Sequence, residues 1–354
     1  MVSPLKIHLR SLSPDEIEAF LNSLGAPRYR AAQILDWLHK KHALNFSEMK
    51  NVPQDLKAEF SKQAAASVLK LLEAPESSKH DSMKYLMKTE DGYVLESVLI
   101  VQAGRRTVCV STQLGCRIRC SFCASGKGKF GRNLTAGEIV EQVSQISHHR
   151  RETITNVVFM GMGEPLDNYE ATMRAIEILT APWGFGLGGR RITVSTSGLT
   201  PAIERFVRDS RGQVRLSVSL HSGDQDTRSK LVPINKKYRL EELLRTLAQI
   251  RKTLKRDITF EYTLIQGVND SEKEARGVGK IAARLSAKVN LIPYNPIREM
   301  DYQTPTREGV ETFRKLLEEK HVRVIVRQTA GRDIDAACGQ LRLDRTASLP
   351  RARL

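Results

Sequence analysis

The chain has 354 residues and a formal net charge of +16, with 40% hydrophobic and 27% charged residues. This composition is sufficient for a packed core and is ordinary for a soluble protein. No apolar run reaches the roughly 20 residues that span a bilayer, and the N-terminus lacks the apolar stretch of a secretory signal. We therefore expect a cytoplasmic protein without membrane contact. The excess of cations predicts a polyanionic partner, and nucleic acid is the first candidate. The alternative is a basic surface that is only solvated.

The first segment, residues 1–65, predicts a small helical domain. Ser13 and Glu16 have the spacing of a capping box, and apolar residues then follow at helical intervals over 17–24. A second helix is expected over Arg30–His39. The basic residues of this domain would contact RNA.

The next segment, residues 66–105, reads as a β-rich connection. Its clearest element is the apolar run YVLESVLIV at 93–101, which is typical of a strand. Asp91-Gly92, immediately before it, predicts a turn.

Residues 106–342 predict an α/β core, because strand-like and helical stretches alternate along this part of the chain. The strands are expected at TVCVST, NVVFM, RITVST, VRLSVSL, ITFEYTLI, KVNLIP and RVIVR. Such alternation predicts a parallel sheet of βα units, and six or seven units fit a full or partial barrel better than a short open sheet. Residues 343–354 would be a loose basic tail.

Polar or glycine-rich loops follow the predicted strands, and together they predict one site. In a parallel βα fold the carboxyl ends of the strands lie on the same face and carry the chemistry. The loops are GCRIRCSFCASGKG at 115–128, GMGEP at 161–165, STSG at 195–198, SLHS at 219–222 and PYNP at 293–296.

Three of the five cysteines, Cys116, Cys120 and Cys123, fall within eight residues. Three thiolates with no fourth suit a four-iron cluster that leaves one iron open to a chelating substrate such as S-adenosylmethionine (SAM). The alternative is a zinc site with His221 or Cys109 as the fourth ligand, although the paired C-x2-C spacing of such sites is absent.

CRIRCSFC, the motif of that first loop, resembles the signature of the radical SAM enzymes. The motifs VVFMGMGEPLDNY, RRITVSTSGL, KLVPINKKY, NLIPYNP and DIDAACGQL extend the resemblance from the N-terminal helices to about residue 342. They are similar to those of the RlmN and Cfr family of RNA methyltransferases, and Pro165 favours the RlmN group. The resemblance implies a partial (β/α)6 radical SAM barrel with a small N-terminal helical domain.

The resemblance also implies roles for individual residues. Cys116, Cys120 and Cys123 would hold a [4Fe-4S] cluster. A second set would bind SAM: Gly163, Glu164, Ser195, Ser219, Leu220, His221 and Asn295.

Three further residues would be catalytic by resemblance. Cys338 would carry a methyl group as S-methylcysteine, and Cys109 would release the product and leave a Cys109–Cys338 disulfide. Glu96 matches a family glutamate with a proposed proton-acceptor role, and the alternative for it is an outward-facing strand residue. The composition of DIDAACGQL predicts a flexible, accessible segment around Cys338.

The implied function is methylation of adenine carbon 2 in 23S rRNA, at the peptidyl-transferase centre, and in tRNA, at the adenine next to the anticodon. Two SAM molecules would be used per turnover, with electrons from a flavodoxin or ferredoxin, by a monomer. Two alternatives remain at this point: a Cfr-like enzyme that methylates adenine carbon 8, and a zinc-stabilised RNA-binding protein without catalytic activity.

Overall fold

The computed structural model describes residues 6–298, 300–327 and 330–342. The basic tail expected at 343–354 lies outside these residues. No helix in the described part of the chain is both long and apolar enough to cross a membrane.

The N-terminal segment forms three helices and a two-stranded parallel ladder around an apolar core of its own. Its elements are β1 (Ile7–His8), α1 (Pro14–Ser23), α2 (Arg30–Leu35), α3 (Gln54–Gln63) and β2 (Ala64–Ala65). The capping box at α1 is confirmed, since the Ser13 hydroxyl accepts from the Glu16 N–H and the Glu16 carboxylate accepts from the Ser13 N–H. The second helix has the expected extent, but its last turn is a π-helix over Asp36–Lys40.

Within the part of the chain that the structure describes, ten strands form a single sheet in which each strand pairs with its neighbours in chain order. The strands are β3 (Lys70–Glu73), β4 (Ser82–Lys88), β5 (Val94–Gln102), β6 (Arg105–Cys109), β7 (Asn156–Phe159), β8 (Ile192–Thr196), β9 (Arg215–Ser219), β10 (Thr259–Leu264), β11 (Lys288–Pro293) and β12 (Val324–Val326). Strands β3 to β6 are antiparallel, and β6 to β12 are parallel. The strands of the connecting segment thus extend the sheet of the core.

Each parallel strand from β6 to β11 is followed by at least one helix, so the partial (β/α)6 barrel predicted from the sequence is confirmed. The helices are α4 (Ala136–Arg150), α5 (Tyr169–Thr180), α6 (Thr200–Asp209), α7 (Gln225–Leu231), α8 (Leu240–Ile250), α9 (Glu272–Arg284) and α10 (Arg307–Glu318). All of these helices except α7 pack on the sheet through one large apolar core, and α7 places Leu231 in a separate, smaller apolar group. Helix α4 begins with a capping box between Thr135 and Glu138, as predicted.

A fully buried arginine joins the N-terminal domain to the barrel. The Arg10 guanidinium donates to the carbonyls of Leu38 and Ala43, to that of Ala66 at 2.9 Å, and to the Ser144 hydroxyl of α4 at 2.9 Å. A buried cation is stable only when its donors are satisfied, and here carbonyls from the middle of the N-terminal segment and from the residue just after it accept them. The contact fixes the domain against α4.

Candidate functional site

The three clustered cysteines lie in the loop after β6, at the carboxyl end of the first parallel strand. Their side chains are half-buried against an apolar group formed by Ile118, Phe122, Leu231, Val232, Ile265 and Tyr294. Backbone N–H groups of Ile118 and Arg119 donate to the Cys116 sulfur, and those of Ser125 and Gly126 donate to the Cys123 sulfur. Such N–H donors stabilise thiolate ligands.

Burial raises the pKa of the Cys116 thiol to about 12, and the neighbouring Cys123 and Glu164 add to the increase. Burial and the other two thiols also raise the pKa of Cys120. Three thiols that share an apolar pocket ionise together only if a cationic group binds among them. The donor set therefore fits an iron–sulfur cluster held by Cys116, Cys120 and Cys123.

Within the described residues, no three His, Cys, Asp or Glu side chains are arranged to ligate one metal ion. The four-ligand zinc site considered from the sequence, with His221 or Cys109 beside the three cysteines, is thus not formed in that part of the chain. A four-iron cluster binds each thiolate through a different iron, so its three ligands need not surround a single ion.

The loop after β7 passes close to the loop after β6, and this approach requires glycine. Gly163 has φ of +100°, and a Cβ there would lie 2.6 Å from the Cβ of Gln113. The Gln113 side chain accepts from the Glu164 N–H at 2.9 Å and donates to Asp167 at 2.7 Å. Gln113, which the sequence analysis did not single out, thus holds this loop in place.

The carboxylate of Glu164 points into the protein at the ends of β7 and β8. It accepts hydrogen bonds from the Ser197 N–H at 2.7 Å and from the Leu166 N–H at 3.1 Å. Burial raises its pKa, while these donors oppose the increase. Both Cys116 and Cys120 lie near enough to sense its charge. A carboxylate in this position beside the thiols can bind the ammonium group of an amino acid.

The SLHS loop after β9 brings Ser219, Leu220 and His221 to the same face. His221 has φ of +56°, and its Nδ1 accepts a hydrogen bond from the Thr263 N–H at 2.9 Å. Its ring packs edge-on against that of Phe122, with the ring centroids 4.6 Å apart. Burial, with a contribution from Arg228, lowers its pKa to about 3, so the imidazole is neutral at pH 7. Ser195 lies on the neighbouring β8, half-buried.

A fully buried arginine of α7, Arg228, connects two of these loops and was missed from the sequence. Its guanidinium donates to the carbonyls of Ser197 at 2.8 Å, Ser219 at 3.1 Å and Leu220 at 3.1 Å. It also donates to the Asn235 side chain at 2.5 Å. Helix α7 has only seven residues and a polar sequence, so no apolar period indicated it.

Cys338 lies more than 200 residues after the thiol loop but enters the same site. Its sulfur is close enough to Cys109 and Cys123 for the thiols to interact electrostatically, and Glu261 and Arg327 also lie within this range. Cys338 is exposed, as the sequence analysis predicted, whereas Cys109 is buried at the end of β6. Cys338 is thus exposed and yet lies close to charged and thiol groups of the sheet and its loops.

The disulfide that the family resemblance implied is not formed. Cys109 and Cys338 are both free, as are the three cysteines of the thiol loop. Burial raises the pKa of Cys109, and desolvation of the sulfur by surrounding protein atoms raises that of Cys338 although the residue is exposed, so each is a neutral thiol at pH 7. The expectation of a Cys109–Cys338 disulfide is therefore corrected for this structure.

Hydrogen bonds from distant parts of the chain contact the Cys338 segment, for which the sequence predicts flexibility. The Asn295 side chain donates to the Cys338 carbonyl at 3.1 Å, and the Ala124 N–H donates to the Gly339 carbonyl at 2.8 Å. The Gln340 side chain donates to the Pro296 carbonyl at 3.0 Å. These contacts bind the segment to the loops after β6 and β11.

Glu96 lies inside the protein on β5, so it is not an outward-facing strand residue. Its carboxylate forms an ion pair with Lys84 at 2.7 Å and accepts from the Arg342 N–H at 3.0 Å. Burial raises its pKa, and the Lys84 charge opposes the increase.

Exposed cations surround the thiol loop. Arg119, Lys127 and Lys129 are exposed, and the guanidinium of Arg117 stacks over the Phe130 ring at 4.0 Å. An aromatic ring beside several cations is a surface that suits single-stranded nucleic acid.

Two family models match the chain. Residues 110–276 match the Radical SAM superfamily, and residues 7–66 match the ribosomal RNA large subunit methyltransferase N-terminal domain. The second match covers the helical domain with its separate core.

Relatives match nearly the whole chain. A probable dual-specificity RNA methyltransferase RlmN of Pelotomaculum thermopropionicum is 44% identical, with 95% of this chain and 92% of the relative covered. The dual-specificity RNA methyltransferase RlmN of Geotalea uraniireducens is 42% identical, with coverage of 96% and 98%. The solved structure of a radical SAM methyltransferase from Sphaerobacter thermophilus is 42% identical and superposes with a TM-score of 0.92, covering 95% of this chain and 99% of that one.

Proposed function

Because the chain belongs to the RlmN family of radical SAM RNA methyltransferases, we propose that it methylates carbon 2 of adenine in 23S rRNA and in tRNA. The relatives named dual-specificity enzymes are the basis for two RNA classes. The methyl group would reach the base by way of Cys338. The electron donor would be a flavodoxin or ferredoxin, and the enzyme would act as a cytoplasmic monomer.

The observation that carries this proposal is the proximity of Cys338 to Cys109 and Cys123, which lie more than 200 residues earlier in the chain. A cysteine that served only to fill a core would be buried in apolar surroundings, whereas Cys338 is exposed within the site. The residue is exposed to solvent, and Cys109 lies beside it.

The family implies a four-iron cluster and SAM, which when bound supply radical chemistry. Cys116, Cys120 and Cys123 would hold the cluster, and the Glu164 carboxylate would bind the SAM ammonium group. Ser195, Ser219, Leu220, His221 and Asn295 would line the remainder of the SAM site. The neutral His221 adds no charge beside a sulfonium ligand.

A covalent route explains why a thiol is needed near the base. Carbon 2 of adenine is electron-poor and does not attack SAM as a nucleophile, so the one-carbon unit must be delivered differently. A thioether on Cys338 would hold the carbon next to the ring and convert the transfer to an intramolecular step. Cys109 would then be required to free the RNA from Cys338. The role of Glu96 as a proton acceptor stays a prediction.

Substitution of Cys109 tests the route. Cys109→Ala, incubated with SAM, a reductant and an RNA that contains the target adenine, should accumulate a covalent RNA–protein adduct. The adduct appears as a nuclease-sensitive retarded band on a denaturing gel. Cys338→Ala should give neither adduct nor methylated RNA. Normal turnover by Cys109→Ala would rule out the covalent route.

The position of the methyl group decides between the two branches of the family. A nucleoside digest of RNA modified by the native protein is compared with 2-methyladenosine and 8-methyladenosine standards. The proposal requires 2-methyladenosine from both rRNA and tRNA. If 8-methyladenosine is the main product, the protein is Cfr-like, and if only one RNA class is modified, dual specificity is wrong.

A further inference from the structure

A buried ion pair lies beneath the segment that carries Cys338. The Lys84 ammonium and the Glu96 carboxylate are 2.7 Å apart, and the side chains are only 9% and 8% exposed. Strands β4 and β5 are antiparallel with Lys84 opposite Val98, which places Glu96 two residues away as a diagonal neighbour. Such neighbours lie on the same face of a sheet, within reach of long side chains.

Each member of the pair also binds the backbone of that segment. The Lys84 ammonium donates to the Asp335 carbonyl at 3.3 Å, and the Glu96 carboxylate accepts from the Arg342 N–H at 3.0 Å. Asp335 and Arg342 bracket the loop in which Cys338 lies. One ion pair of the sheet therefore fixes both ends of the loop, while the loop itself forms no strand with the sheet.

The free-energy cost of burying two charges suggests that this ion pair does more than hold the two strands together. A buried ion pair by itself contributes little to stability, because desolvation of the two charges offsets their attraction. An apolar pair of similar volume would serve the sheet as well. Only charged groups, however, also give the Asp335 carbonyl and the Arg342 N–H strong partners, since hydrogen bonds to ionised groups are stronger than neutral ones.

We propose that Lys84 is a positioning residue for Cys338, acting through its ion pair with Glu96 and the two backbone contacts to the loop. The inference rests on the role of Cys338 given under Proposed function. Lys84 does not touch the reacting groups. It holds the ends of the loop so that the thiol stays next to Cys109 and the thiol cluster.

This role differs from that of a proton acceptor at Glu96 alone. If Glu96 only accepted a proton during the reaction, neutralising Lys84 would not change the mobility of the Cys338 loop in the protein without SAM and RNA. If the pair positions the loop, Lys84→Met should loosen the segment in the absence of SAM and RNA. The two accounts are thus separable in the resting protein.

Three variants on one strand form the test: Lys84→Met, Lys84→Arg and the control Lys88→Met. Lys88 ends the same strand and is exposed. Hydrogen exchange of the peptide covering 335–342 and alkylation of Cys338, read by mass spectrometry, are measured without SAM or RNA. Lys84→Met should accelerate both, whereas Lys84→Arg, which keeps a cation with several donors, should restore slow exchange. Lys88→Met should behave as the native chain.

Activity provides the second readout. Lys84→Met should lower kcat by up to about a hundredfold, because a thiol displaced by an ångström reacts far more slowly, with little change in KM for RNA. The double variant Lys84→Met with Glu96→Gln replaces the ion pair by a neutral pair of similar size and guards against unfolding caused by an unpaired buried carboxylate. It should retain the native melting temperature and still exchange rapidly at 335–342.

Native exchange and alkylation rates in both Lys84→Met and the double variant would overturn the proposal. Because these rates do not depend on methylation, that outcome is distinguishable from failure of the proposed function, which would appear as absence of adenine methylation by the native protein. Fast exchange in Lys88→Met as well would also overturn it, since the effect would then come from the strand rather than from the ion pair.

Discussion

The Asn295 side chain donates a hydrogen bond to the backbone carbonyl of Cys338 at 3.1 Å and accepts one from Arg332 at 3.2 Å. The loop after β11 is thereby connected to the segment that carries the proposed methyl carrier. A residue that the family resemblance assigns to SAM binding thus contacts the Cys338 loop directly.

Asn295→Ala should expose the Cys338 thiol to faster alkylation in the absence of SAM, because the loop loses one of its anchors. Asn295→Asp is the informative partner, since it still accepts from Arg332 but cannot donate to the Cys338 carbonyl. We expect both variants to be alkylated faster than the native chain, with Cys109 unchanged, as read by peptide mass spectrometry. If alkylation is faster in Asn295→Ala but not in Asn295→Asp, the effect comes from the lost hydrogen bond with Arg332 and not from the lost hydrogen bond to the Cys338 carbonyl.

Gly163→Ala should weaken SAM binding by about tenfold or more, because a Cβ at φ +100° would be strained and would collide with Gln113. The collision displaces the loop that carries Glu164. Calorimetry with SAM measures the loss, and the iron content should stay at the native level. Gly188→Ala is the matched control, since its Cβ meets open space at a negative φ. Native SAM affinity in Gly163→Ala would contradict the site geometry.

Anaerobic reconstitution should load about four irons per chain, as expected for a four-iron cluster. Cys120→Ala should lose them, because two of the three thiolate ligands do not hold the cluster. Cys338→Ala should keep the full iron content. Stoichiometric zinc without iron in the native protein would contradict a cluster at this loop.

The stability of the protein should fall as the pH falls from 6.5 towards 4, and His42 should account for part of the decrease. Burial, together with the charges of Arg10 and His148, lowers its pKa from 6.5 to about 4. The unfolded chain therefore takes up this proton first, so the contribution is complete above pH 6.5 and lost as the pH approaches 4. This lowering of the pKa corresponds to a decrease in the free energy of unfolding of about 3 kcal/mol once the pH has fallen to the folded-state pKa or below.

Urea unfolding at several pH values measures this effect. His42→Gln removes the titrating group, so the difference in unfolding free energy between pH 7 and pH 4 should shrink by up to the same amount. An unchanged pH dependence in His42→Gln would show that the imidazole is not buried in the neutral form.

The barrel and the cofactor loops were predictable because they depend on local patterns. The alternation of apolar strands with capped helices indicated the (β/α)6 order, and the cap of α4 at Thr135 is where the sequence suggested. The spacing of Cys116, Cys120 and Cys123 indicated a cluster for the same reason. Each of these signals lies within one stretch of chain.

The anchoring of Cys338 could not be predicted, because it depends on contacts between distant residues. The segment DIDAACGQL has the composition of a loose loop, yet Asn295, Lys84 and Glu96 hold it across separations of up to about 250 residues. Arg228 was missed for a similar reason. Its acceptors are mostly backbone carbonyls, which leave no mark in the sequence.

A single-turnover experiment with isotope-labelled SAM shows whether the methyl group passes through Cys338 on its way to adenine. The protein is first allowed to methylate itself, excess SAM is removed, and unlabelled SAM, reductant and RNA are added. The account predicts that the label is first found on the Cys338 peptide, then disappears from it and appears on carbon 2 of adenine in equal amount. A label that never resides on Cys338, or that remains there while the adenine gains an unlabelled methyl group, would contradict it.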